Sequence, residues 1–409
     1  MNFFDKFLTP LSAQHIELLH FMLMLIFSLF IPFVGLITGG SFFSYFFYKK
    51  GKRENSPDYI RFSKEIIEIV KINKSMGIVL GFITLLTSIL IYIQLLSLSE
   101  ITSIIYLIIS LFVIIAGLLL TYNSFTSKFG FIFLLISIWI FVAGITIPIY
   151  KNIITPNNSI INIMFSSIVI FKFITVLLLS GVFTGSTILF IYFYWNGGRN
   201  NINDKYALFI KHFAIRLTFS SIIILPLFLF VDLVKIPNDA LSVSVFVYSS
   251  LAIAVIFVTY HFLYIMSREK NSNFSLQIFV SAILIIILFV IKDQISFDNA
   301  TELRTVEMSS LYSINMDKLT GANKAPKISG EDIYKNICSS CHSFDHKVVG
   351  PPYKQTLPKY KGNVDKLVVF ILHPTQNNPG YPPMPNPGLK PDQAKAVATY
   401  ILNEVKKYE

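Results

Sequence analysis

Two thiols and an imidazole stand together once in this 409-residue sequence, as Cys338-Ser339-Ser340-Cys341-His342, and the chain has only these two cysteines. Thiols two residues apart share one helical turn. There they can close a disulfide, act as a redox dithiol, or add to the two vinyl groups of a haem. Neither a disulfide nor a dithiol explains the histidine that follows at once. Haem attachment does, because that imidazole reaches the iron from the proximal side. The pattern reads as a c-type haem attachment sequence, with Cys338 and Cys341 as the thioether positions and His342 as the first axial ligand.

A second axial ligand has to come from the other side of the ring. Met384 stands 43 residues beyond Cys341, in Tyr381-Pro382-Pro383-Met384-Pro385. Flanking prolines forbid a helical core stripe and hold the thioether in a stiff extended loop. The competitors are His346, too close in sequence to cross the ring, and His373, at the end of a helical stretch. Methionine ligation raises the potential relative to two histidines, which suits a carrier feeding a high-potential acceptor. Gly350-Pro351-Pro352 and Tyr353 are expected against the propionate or proximal edge of the haem.

The elements that position these residues are short. Residues 325–409 have soluble character and three helical stretches, near 330–341, 363–373 and 391–407. The second carries the stripe Val364, Leu367, Val368, Ile371 and Leu372, and the third begins with Pro391 in its first turn. Early haem motif, Gly-Pro-Pro, Met-Pro loop and final helix come in the order of a class I monohaem cytochrome c, which this region resembles. The resemblance implies one covalent haem c with Met–His ligation, inserted on the periplasmic side.

The other four-fifths is a different material. The whole chain is 54% hydrophobic and 14% charged, against about 45–50% and about 25% in soluble proteins. This excludes a disordered chain, a disulfide scaffold and an ordinary soluble enzyme. Uncharged runs long enough to cross a bilayer lie at 18–48, 76–97, 101–122, 129–150, 165–195, 209–232, 243–266 and 273–292. The fold class is therefore all-α, a polytopic bundle of about eight spans followed by a small cytochrome c domain. The expected domains are 1–292 for the membrane region, 293–324 for a polar linker and 325–409 for the haem domain.

Charge sets the orientation. Loops on one side hold fourteen Lys and Arg, and those on the other hold only Lys6, Lys151 and Lys235. The positive-inside rule then puts both termini outside the cytoplasm, here the periplasmic side of a bacterial inner membrane. No cleavable leader is expected ahead of the first span. The net charge of +11 is a topology signal of short loops, and no nucleic-acid partner is expected. Lys172, inside the fifth run, is expected to snorkel to a headgroup layer. In the connection 48–75, apolar Ile60, Ile66, Ile67 and Val70 alternate with Arg61, Lys64 and Glu65. That pattern suits either an amphipathic surface helix or an extension of the second span.

Histidines inside spans are costly unless paired or ligating. His15 and His20 lie at the outer end of the first span, with His212 and His261 near the inner ends of the sixth and seventh. The last two could hold a haem b between helices or simply meet water. The first span, with Leu19-His20-Phe21-Met22 and Gly35-Leu36-Ile37-Thr38-Gly39, is similar to the start of the large subunit of cytochrome bd quinol oxidases. Lys172-Phe173 with Gly181-Val182-Phe183-Thr184-Gly185 is similar to that family's fifth span. The resemblance implies a non-covalent haem ligated by His20. Departures are clear: Val176 stands near the family's fifth-span histidine, its membrane glutamates have no counterparts in spans two to four, and its quinol loop shrinks to about 232–241.

Two functions follow from these readings. One is an electron-transfer subunit passing single electrons through haem c, within a respiratory membrane complex or beside a periplasmic donor or acceptor. The other is a quinol:cytochrome c oxidoreductase or bd-like terminal oxidase using haem b and quinone in the membrane region.

Overall fold

The computed structural model describes all of the chain except residues 1–9, 71–76, 78, 97–99, 124–127, 152–159, 196–204, 269–273, 320–328, 362, 376–379 and 409. The described residues are helix, turn and irregular loop, with no strand. They fall into two compact units, one spanning Leu19–Ala300 and the other combining Met1–Leu18 with Thr301–Glu409.

Long apolar helices come first along the chain. They are α1 (Ala13–Glu54), α2 (Pro57–Val70), α3 (Thr84–Leu96), α4 (Ile101–Asn123), α5 (Lys128–Thr146), the short α6 (Ile160–Met164), α7 (Ser167–Phe190), α8 (Lys205–Lys235), α9 (Val243–Arg268) and α10 (Ser275–Leu319). Eight described helical segments are long and apolar enough to cross a membrane, as the apolar runs predict. The chain is thus an all-α polytopic membrane protein.

Small residues set how closely the spans approach. Gly35 of α1 faces Ser180 of α7, whose hydroxyl donates to the Gly35 carbonyl at 2.6 Å, and a side chain at Gly35 would come within 3.2 Å of the Ser180 backbone. One turn on, Gly39 meets Thr184, while Gly181 and Gly185 on the next face of α7 meet Ser221 and Thr218 of α8. Two small residues four apart form a flat strip on a helix. In a bilayer, where apolar burial between helices gains nothing over lipid, such strips let backbones pack.

The connection after α1 forms a helix, α2, over Pro57–Val70, and the link between it and the second span lies outside the described residues. The apolar face of α2 does not lie free on a membrane surface. Phe62 is fully buried, with ring contacts to Phe47 at 5.0 Å, Phe209 at 5.3 Å and Phe213 at 5.5 Å. Half-buried Glu65 then fixes the helix. It accepts from Tyr192 at 2.5 Å, Tyr206 at 2.8 Å and Arg61 at 2.9 Å. Burial raises this carboxyl, but the three hydrogen bonds outweigh it and hold Glu65 below the usual glutamate range. A depressed folded value gives a stabilisation complete above the unfolded glutamate value, about 4.3, and lost as pH falls through the folded one. We expect hydrogen exchange in residues 57–70 to accelerate below about pH 4.3, with Glu65→Gln removing that pH dependence. An unchanged acid profile in the variant would refute the assignment.

Two expectations need correction. Lys172 does not snorkel, since it is buried and ion-paired to Asp232 and Asp293. Residues 293–319, read as part of a polar linker without a clear period, continue the last span as helix to Leu319. The physical reason is local: Ser275–Leu319 contains no glycine or proline, so nothing interrupts the ladder when the composition turns polar.

In the second unit, Ser329 caps α11 (Gly330–Ile333), accepting from the Asp332 amide at 3.3 Å. The chain then widens into a π-turn, Tyr334–Cys338. Next come α12 (Tyr353–Thr356), α13 (Val364–Leu372) and α14 (Pro391–Glu404). Asn363 caps α13 by accepting from the Lys366 amide at 3.0 Å. The buried core joins Ile333, Phe344, Tyr353, Leu357, Leu367, Val368, Ile371, Val397 and Ile401, so the stripe on α13 packs with Val397 and Ile401 of α14.

Candidate functional site

Cys338 closes the π-turn, and the chain then tightens. The Cys341 and His342 amides both donate to the Cys338 carbonyl, at 3.1 and 2.9 Å. Both thiols are unpaired and partly buried. Burial pushes the Cys338 thiol up, opposed by a hydrogen bond from the Tyr353 hydroxyl. Burial likewise lifts Tyr353 well above the usual tyrosine value, so its phenol stays a donor.

The loop after the motif folds back to hold the imidazole. Val349 and Gly350 donate to the Cys341 carbonyl at 3.2 and 2.8 Å. This brings the Pro351 carbonyl to 3.0 Å from His342 Nδ1. With Nδ1–H donating there, Nε2 is the nitrogen left to bind a metal, and the ring plane is fixed. The Tyr353 ring stacks on the imidazole at 5.1 Å and 11°. Gly350 lies so close that a Cβ would overlap the His342 ring, hence the need for glycine there. Gly350, Pro351 and Tyr353 thus form the mount of the proximal histidine. The sequence placed them at the proximal or propionate edge without a division of labour.

Met384 sits, half-buried, in a stretch without helix between residues 382 and 390. Its loop is tied down by Asn386, whose side-chain amide donates to the Leu372 carbonyl at the end of α13, 2.9 Å away. The Asn386 side-chain oxygen accepts from the Gly388 amide at 2.8 Å, and Gly388 has a φ of 66°, in the region that favours glycine. Sequence reasoning missed Asn386. An asparagine two residues before a glycine, in a proline loop, is the turn signal that could have found it. The other imidazoles are engaged elsewhere. His346 contacts Asp345 at 2.7 Å and Ser343 at 3.0 Å, and His373 lies 3.3 Å from Glu302.

These residues fit a covalently attached haem. Two unpaired thiols share one turn, an oriented imidazole offers Nε2, and a glycine leaves the ring no freedom to turn away.

His20 belongs to the first unit. It is buried on α1, its Nε2 is 3.3 Å from Asp298 Oδ1, and its ring is 5.4 Å from Phe297. Despite that approach, neither ring nitrogen has hydrogen-bond geometry with a described residue. Tyr92 stacks on Phe297 at 5.0 Å. His212 on α8 and His261 on α9 are both exposed.

Comparison with known proteins bears on the second unit alone. The cytochrome c family profile matches residues 328–404. Cytochrome c-551 of Azotobacter vinelandii is 36% identical over 78 residues, which cover 18% of this chain and 95% of that protein. Cytochrome c-551 of Allochromatium vinosum is 38% identical over 72 residues, 17% of this chain and 77% of the relative. For cytochrome c-551 of Pseudomonas aeruginosa the figures are 33% over 78 residues, 18% and 75%. No solved structure gives a significant match, and none of these likenesses reaches the membrane spans. Through its C-terminal domain, carried behind a bundle of membrane-spanning helices, the chain belongs to the cytochrome c family.

Proposed function

We propose that this protein is a membrane-bound electron-transfer subunit that passes single electrons through a Met–His haem c held by residues 325–409. The observation that carries the reading is the mount of His342, with Nδ1 bonded to the Pro351 carbonyl and Nε2 left for iron, directly after two unpaired thiols. A haem bound there supplies a one-electron iron couple. The chain's own residues do the rest. Cys338 and Cys341 anchor the porphyrin, Pro351 and Tyr353 fix the proximal imidazole, and Asn386 braces the loop that offers the Met384 thioether.

The haem domain and both termini are assigned to the periplasmic face of a bacterial inner membrane by the positive-inside count. Eight spans exceed what an anchor needs, since one apolar helix tethers a domain. The membrane unit is therefore assigned a second task, contact with other subunits of a respiratory complex or with a periplasmic donor or acceptor.

The test is Met384→Ala in the matured full-length protein. We expect covalent haem to be retained, the sulfur-to-iron charge-transfer band of the oxidised form to vanish, and the midpoint potential to fall by on the order of 0.1–0.2 V, within the ~0.8 V range that axial ligands span. Survival of the band would remove Met384 from the site.

One observation favours a second reading. A buried imidazole whose nitrogens make no hydrogen bond to a described residue, as at His20 3.3 Å from Asp298, is costly unless it serves a ligand. The bd-like resemblance would make that ligand a non-covalent haem and the chain a quinol:cytochrome c oxidoreductase or bd-like oxidase. Acid–acetone extraction of the purified protein separates the cases, because haem c stays with the polypeptide. Extractable haem lost in His20→Ala supports the second reading, and its absence leaves the first.

A further inference from the structure

The function proposed above leaves unused the most heavily charged place inside the membrane unit. Lys172 lies one turn into α7, Asp232 near the end of α8, and Lys292 and Asp293 within α10. Lys172, Asp232 and Lys292 are 8%, 7% and 1% exposed. Each ammonium reaches both carboxylates. Lys172 Nζ lies 2.9 Å from Asp232 and 2.7 Å from Asp293, and Lys292 Nζ pairs with Asp232 and lies 2.7 Å from Asp293. Tyr150, after α5, donates to the remaining Asp232 oxygen at 2.9 Å. Two positive and two negative groups therefore alternate around a closed ring contributed by three spans.

Ionised side chains within spans are expensive and need partners of opposite sign. Here the cost is met only collectively. Remove one charge and three remain, with a net unit charge buried among helices. Remove one charge of each sign and the remaining pair is neutral and already in contact. We propose that Lys172, Asp232, Lys292 and Asp293 act as one electroneutral lock joining α7, α8 and α10, a device that tolerates removal of a neutral pair but not of a single charge. Helix α10 gains most from it. Its lysine and aspartate stand side by side in the middle of a 45-residue helix.

The experiment uses the full-length, haem-loaded protein in detergent. The fraction still monodisperse after heating is followed by size exclusion at the absorbance of the covalent haem. Asp232→Asn and Lys292→Met, each alone, should lower the folded-to-unfolded ratio by about a hundredfold or more, the range for orphaning one buried ion. The double variant, which keeps the Lys172–Asp293 contact, should recover to within about tenfold of wild type. The complementary pair Lys172→Met with Asp293→Asn keeps the Lys292–Asp232 contact and should behave alike. If single variants do not accumulate, accumulation of the doubles in membranes makes the same comparison. A single variant as resistant as wild type, or doubles no better than the worse single, would overturn the lock.

Discussion

Replacing both Cys338 and Cys341 with alanine should leave a chain that retains no haem on a denaturing gel and whose residues 325–409 no longer fold. The first outcome is chemical, since the two thiols are the only cysteines in the sequence and no other side chain makes the thioether bond. The second follows from size. Residues 325–409 lie just above the size, about 70–80 residues, below which a single core rarely supplies more than about 3–5 kcal/mol. The core here is a small cluster around Leu367, Val397 and Ile401, and the motif turn beside it has both thiols unpaired. A tethered haem would add the missing stability, because its apolar ring is buried in the folded state and exposed in the unfolded one. Either single substitution should keep one thioether and an intermediate stability. Haem stain with limited proteolysis reads both effects, and a stained band from the double variant would refute the attachment.

A leucine at Gly185 should be among the most damaging changes in the membrane unit. The Cβ position there lies 3.0 Å from the Ala214 carbonyl oxygen and 3.1 Å from the Thr218 amide nitrogen. These are backbone atoms of α8, which cannot swing aside as a side chain would. The two helices must separate, and overpacking of this kind costs about 1–3 kcal/mol or more. Separation would also loosen the Ser180 hydroxyl from Gly35 on the other face of α7. Thermal unfolding in detergent should show a clear loss for Gly185→Leu and little change for Phe257→Leu, whose side chain is 61% exposed. Equal melting of the two variants would contradict this packing.

That glycine also marks where sequence resemblance and structure part. Gly35, Gly39, Gly181 and Gly185 carry much of the likeness to bd oxidases, yet in this fold each sits where two helices touch. Such motifs report that spans pack closely. They say nothing about which cofactor, if any, lies between them, so the glycines lend no support to a bd-like function.

The sequence alone settled whatever depends on neighbours along the chain. A span is a matter of apolar length, so eight helices of membrane-crossing length could be counted from composition. The haem motif is legible because covalent chemistry needs its thiols and imidazole within one turn, and the Met384 loop because prolines act on the adjacent backbone. What the tertiary structure decided are pairings between distant residues. Lys172 looked like a snorkelling residue and Lys292 like the end of a span, because a lysine's partner is invisible until Asp232 and Asp293 are brought to it. Glu65 looked like one charge on an amphipathic face until Tyr192 and Tyr206 arrived from two other helices. The His342 mount needed the chain to fold back nine residues before Pro351 could reach Nδ1. In a membrane or a small haem domain a buried charge or ring nitrogen takes its role from whichever partner the fold delivers, and sequence spacing does not encode that delivery.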